Sequence, residues 1–262
     1  MTGWQRVKRR KRHILTFKSW QARYHPATCM RHKMNYFISA GAVLLLVLPG
    51  VPKPVYAIPT ITCHCFTDRS YDPARPALAD PYFLATTQNT FFAIVFTVDK
   101  KSIVIKKQQG VSGDDLWVAF WLAAKTGLTG EELLKIKPDK ETWRAVLTNH
   151  HIAIKGSGAL FAEALHADAP ASRLSQLVVD DLFRRYRLLS EQELTATRKA
   201  GAANQELILA TLIAARSGRS VRQVYQDVKT GGNTWGALLQ HAKIDTRNIQ
   251  HELVATLKLP SK

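Results

Sequence analysis

From about residue 81 onward, apolar residues recur at intervals of three and four, the spacing that lines one face of an α-helix. Leu116, Ala119, Phe120 and Ala123 follow it, as do Leu207, Ala210 and Ala214. Gly127 and Gly218 come where each run needs a left-handed residue to stop, a conformation that costs glycine no Cβ clash. Thr129 with Glu132, and Ser220 with Gln223, have the spacing of a capping box. Thr142 and Thr234 read as N-caps of helices whose apolar faces hold Trp143, Val146 and Leu147, and Trp235, Leu238 and Leu239. Upstream, Asp80 and Pro81 read as an N-cap followed by proline in the first turn. The apolar run 91–98 is helix or strand by periodicity alone. Its counterpart at 182–189 carries spaced charges that suit a helix, so both are read as helices. Asp99 and Ser190 then open the next helices, Ser190 with Glu193 as a further capping box, and Gly110 and Gly201 close them. The expected fold is all-α.

The pattern occurs twice. Residues 110–152 recur as residues 201–244 with eleven identities, once one extra residue is allowed before the tryptophan. The identities include Leu116/Leu207, Ala119/Ala210, Gly127/Gly218, Thr142/Thr234 and Trp143/Trp235. With weaker similarity at both ends, two helical modules are expected at about 81–166 (bounded as 81–168) and 173–258, joined at residues 169–172. The retained residues are caps, stops, small residues and a tryptophan. None is His, Cys, Asp or Glu, so the shared pattern is one of packing.

Ahead of the helices the chain changes character. Residues 1–33 hold ten Lys or Arg and no acid, RVKRRKR at 6–12 being the densest run. A short apolar stretch at 38–48 follows, ending in Pro49 and Gly50, and is too short to span a bilayer. Residues 30–34 supply a positive n-region, and Val55 and Ala57 are the small residues a signal peptidase reads. Residues 30–57 therefore read as a secretory signal peptide cleaved after Ala57. Residues 1–29 read as an over-extended gene start, and an uncleaved anchor is the competing reading. Localisation is then periplasmic or secreted, with the membrane touched only through the signal peptide. The whole chain's net charge of +17 shrinks accordingly: residues 58–262 hold 26 basic and 20 acidic residues, a net of +6. That is a mildly basic surface rather than a nucleic-acid footprint.

The one concentrated chemistry is in the Pro-rich segment 58–80, where Cys63, His64 and Cys65 stand together. In an extended chain the two cysteines share a side with Cα atoms roughly 6.7 Å apart, the upper edge of disulfide reach. Three readings stay open: a strained, redox-active Cys63–Cys65 bridge in an oxidising compartment; a soft metal site for Cu or Zn; and two structural cysteines. His64 would face away from both thiols, so a metal would need further ligands, for which Asp68, His150, His151 and His166 are candidates. Haem attachment is excluded by the absence of C-x-x-C-H. Adjacent His150 and His151 read as a solvated pair at a helix end. Trp117 and Trp121 read as core, and Arg184, Arg185 and Arg187 as a solvated face. No nucleophile elbow, phosphate loop, zinc-protease motif or dinucleotide turn occurs, so no catalytic residue is assigned.

Two resemblances bear on function. Residues 123–133 and 214–224, each a helix end, a glycine turn and a capped second helix, resemble a helix-turn-helix. In that family the second helix enters the major groove, which here would be residues 130–137 and 221–229. Glu131 and Glu132 fit that role poorly, Arg222 and Lys229 better, and export argues against nucleic acid. The stretch TCHCFTDRSYDPARPALADPYFLATTQNT at 62–90, with the Trp-containing repeats after it, resembles uncharacterised exported bacterial helical-repeat proteins over most of residues 58–262. That resemblance implies no activity, cofactor or catalytic residue. The expectation is an exported helical scaffold or interaction protein of the bacterial cell envelope, with a protein or envelope component as partner. A DNA-binding protein and a periplasmic thiol or metal protein are the alternatives.

Overall fold

The computed structural model describes residues 66–138 and 140–260. Residues 66–79 run as turns, as their prolines dictate. Twelve α-helices follow among the described residues, with no strand. They are α1 (Asp80–Phe96), α2 (Lys100–Gln108), α3 (Gly113–Thr126), α4 (Gly130–Ile136), α5 (Trp143–Asn149) and α6 (Ala159–His166). Then come α7 (Ala171–Arg185), α8 (Glu191–Lys199), α9 (Asn204–Ser217), α10 (Val221–Lys229), α11 (Trp235–His241) and α12 (Ile249–Thr256). A 3-10 turn, Thr246–Asn248, leads into α12. The all-α expectation holds. The apolar run 91–98 ends α1 at Phe96, and the linker is shorter than expected because α7 already begins at Ala171.

The local stops and starts are those the residues encode. Gly127 and Gly218 close α3 and α9 at φ 79° and 70°. Thr129 with Glu132 and Ser220 with Gln223 form complete capping boxes, and Thr142 and Thr234 cap α5 and α11. Two carboxylates act elsewhere than expected. Ser190 caps α8 through the Glu193 amide, but the Glu193 carboxylate accepts from the Val221 amide at 2.7 Å, serving the start of α10. Asp80 is not the N-cap of α1; that position is Ala79. Its carboxylate instead accepts from the Trp235 and Gly236 amides at 3.0 and 2.8 Å, filling two of the unpaired N–H groups at the start of α11.

Loss of solvent pushes the Asp80 carboxyl up, opposed by those two amides. Asp80→Ala is therefore expected to cost about 1–2 kcal/mol, as other lost caps do. Asp80→Asn, which keeps an acceptor and sheds a partly desolvated charge, should lose less. Urea denaturation of the two variants checks the order.

The core is built by helices distant in sequence. α1 lies against α9, α11 and α12 as well as α2, while α7 lies against α3 and α6. α1 reaches both ways. Phe83 is buried beside Gly236 of α11, whereas Phe92 meets Trp117 of α3 with ring centroids 4.6 Å apart. Phe91 meets Trp117 at 6.2 Å and Phe183 of α7 at 5.9 Å. Such pairs add about 0.5–1.5 kcal/mol each beyond their burial. Trp117, Trp121 and Trp143 are all buried, as helical spacing predicts for core tryptophans.

Candidate functional site

Two clefts open between these helices. The larger, about 780 Å³, lies between the turn segment and α11. Arg69, Tyr71, Tyr82, Lys243 and Arg247 line it, and the one acid in its wall among the described residues, Asp245, is held by the Arg247 guanidinium at 2.7 Å. Gly236 lets the turn segment approach: a Cβ there would stand 2.8 Å from the Tyr71 ring and 3.3 Å from the Pro76 carbonyl oxygen. Phe66 and Tyr82 meet edge to face at 5.9 Å, and the Arg69 guanidinium lies 6.0 Å from the Tyr82 ring. The cleft thus joins aromatic faces to cationic heads.

The smaller cleft, about 370 Å³, is bounded by α2, α3, α7 and α9. Two separate sets of hydrogen-bonded polar groups lie at and behind it. Lys107 Nζ donates to Asn89 Oδ1 at 2.6 Å. Ser175 Oγ donates to Asp114 Oδ1 at 2.5 Å and accepts from Asn204 Nδ2 at 3.2 Å. Arg198 donates to Asn204 Oδ1, to the Ala202 carbonyl and to Asp180 at 2.6, 2.8 and 2.9 Å. Asn89, Ser175, Asp180 and Asn204 are buried. Lys107 and Arg198 are 91 residues apart, as are Asn89 and Asp180. The two basic–polar pairs therefore stand at one common offset along the sequence, Lys–Asn first and Arg–Asp second. A count of identities passes over them, because neither position is identical; the offset itself would have found them.

Lys107 is half-buried, and loss of solvent lowers its ammonium to about 8, with Asp114 pulling the other way. Between pH 8 and its usual 10.5 the unfolded chain holds the extra proton. The stability contributed by this group accordingly rises with pH across that window and is lost as pH falls towards 8. Wild type is expected to gain up to about 1.4 kcal/mol per pH unit over Lys107→Met in that range. Denaturant unfolding of both proteins from about pH 8 to about pH 10 measures the difference.

Cys63, His64 and Cys65 lie outside the described residues, as do residues 30–57, read from the sequence as a signal peptide, and residues 1–29. Of the further metal-ligand candidates, Asp68 accepts from the neighbouring Thr67 hydroxyl. His150 and His151 are exposed at the end of α5, and His166 is in the last turn of α6 with its carbonyl bonded to Arg144 at 2.9 Å. Among the described residues no three His, Cys, Asp or Glu side chains are grouped to hold a metal ion. Arg184 pairs with Glu191 and Arg185 with Asp181 on an exposed face, as read from the sequence. No helix among the described residues is long and apolar enough to cross a membrane. Neither family models, nor curated proteins, nor solved structures give a match to this chain.

Proposed function

We propose that this chain is an exported, all-helical interaction protein of the bacterial cell envelope, built from two tandem copies of one helical module. The larger cleft carries the reading. It presents Tyr71 and Tyr82 beside Arg69 and Lys243, a lining suited to an anionic protein segment or envelope component. The apolar stretch and peptidase-type residues ending at Ala57 support export. The sequence repeat and the mirrored packing of α1 on α9 and α7 on α3 support the duplication. Cys63, His64 and Cys65, which precede the turn segment in the sequence, would add a redox or soft-metal function. Crosslinking in intact cells through a photoreactive residue in place of Lys243 tests the partner surface. An envelope-derived adduct that disappears when Tyr71 and Tyr82 are both changed to Ala supports the reading. Adducts only with cytoplasmic proteins or nucleic acid would remove it.

A second reading keeps one specific observation. α10 follows the Gly218 turn and exposes Arg222, Gln223, Gln226 and Lys229, flanked by an Asp227 that is paired with Arg219. Arg and Gln are the side chains that read guanine and adenine edges in the major groove. The Glu193 carboxylate at the start of α10, and Glu131 and Glu132 on α4, oppose phosphate. DNA affinity that falls steeply with salt would favour this reading, and none at low salt would end it.

A further inference from the structure

We propose that the smaller cleft, between α2, α3, α7 and α9, binds a small zwitterion bearing one carboxylate and one ammonium group, the chemistry of a free amino acid. Two opposite charges face this space and neither is fully satisfied. Lys107 has three N–H donors, and Asn89 is the one acceptor for them among the described residues. Asp114 uses Oδ1 to accept from Ser175, while its Oδ2 has no partner among the described residues. At the matched position of the second repeat the same arrangement is closed: Asp180, Asn204 and the Ala202 carbonyl occupy the Arg198 guanidinium. Where Arg198 hydrogen-bonds a carboxylate, Lys107 hydrogen-bonds only an amide and feels the Asp114 carboxylate through space, so two of its three donors are left for something else.

The rest of the wall fits that ligand. Gln88, Ser172, Gln176 and Gln205 supply amide and hydroxyl groups, and among the described residues no aromatic or large aliphatic side chain lines the cleft. α7 and α9 both begin here with N-cap residues, Pro170 and Ala203, that offer no side-chain acceptor. Their first turns line the cleft through Ser172, Asn204 and Gln205, and the amides there add donors for a carboxylate. A plain anion would also meet Asp114, and a plain cation would meet Lys107 and the helix starts. A molecule carrying both charges meets both ends favourably. About 370 Å³ is at the small end of ligand-pocket volumes, which suits a ligand of amino-acid size.

The test uses the protein purified from its host. A panel of the common L-amino acids is screened by thermal shift, and the strongest is titrated calorimetrically beside acetate and methylammonium. At least one amino acid is expected to bind with Kd below about 1 mM. Asn89→Asp supplies Lys107 with the carboxylate that Arg198 already has, so it should keep the fold and weaken binding at least about tenfold. Asp114→Asn should weaken it similarly; if that variant does not fold, Asn89→Asp decides. The proposal is overturned if no amino acid binds at about 10 mM. It is equally overturned if Asn89→Asp binds as wild type does, or if acetate or methylammonium alone binds as well as the amino acid.

Discussion

Replacing Arg198 with Met is expected to lower the unfolding free energy by about 3–5 kcal/mol, a large share of the roughly 5–15 kcal/mol that holds a domain folded. The guanidinium is nearly buried and feeds three acceptors on two helices and the turn before the second: Asp180 on α7, Asn204 at the start of α9, and the Ala202 carbonyl between α8 and α9. Removing it leaves the Asp180 carboxylate buried without its cation, and unpaired buried charge is costly. The loss also spreads. Asn204 positions Ser175 by donating to its hydroxyl, and Ser175 in turn donates to Asp114, so one substitution loosens α3, α7, α8 and α9 together. Arg198→Met combined with Asp180→Leu should recover much of the loss, because both charges then go. Guanidinium unfolding of the single and double variants measures this. A single variant within about 1 kcal/mol of wild type would mean that solvent screens the pair in solution.

The second large effect concerns the exchange of helices between the two halves of the chain. Residues 66–170 and 171–260, expressed separately, are expected to lack a cooperative thermal transition. α1 belongs to the first half but rests on α9, α11 and α12, while α7 belongs to the second and rests on α3. Cutting at residue 170 strips the partners from Phe83, buried beside α11, and from Phe183, stacked near Phe91. Burying one such ring is worth about 1.5–3 kcal/mol, so losing several removes the whole margin of stability. Mixed, the halves should regain helical circular dichroism and a single melting transition. If either half melts cooperatively as a monomer, the exchanged helices are not what holds it together.

The sequence made the helices legible wherever one turn decides the outcome. Gly127, Gly218, Thr129, Ser220, Thr142 and Thr234 act within four residues of themselves, and each does what its spacing predicts. Asp80 and Glu193 carry the same kind of local signal, yet their carboxylates cap helices 155 and 28 residues away. A side chain next to two unfilled helix starts serves the one that tertiary packing brings closer, and no local spacing reveals that choice. The grouping of Lys107 with Asp114, Ser175 and Asn204 around one cleft was hidden for a related reason. Its members sit on four helices, and the cleft exists only once the starts of α3, α7 and α9 converge. Only the matched spacing of Asn89/Asp180 and Lys107/Arg198 was on display.

Export is the claim on which the proposed function turns, and the intact mass of the protein from its native host tests it most directly, recorded natively and denatured, with and without thiol alkylation. The account predicts a chain beginning at Ile58. Alkylation blocked until reduction would then reveal a Cys63–Cys65 bridge, and native mass lost on denaturation a bound metal. A mass that retains any of residues 1–29 would contradict the account and return the chain to the membrane-anchored or DNA-binding readings.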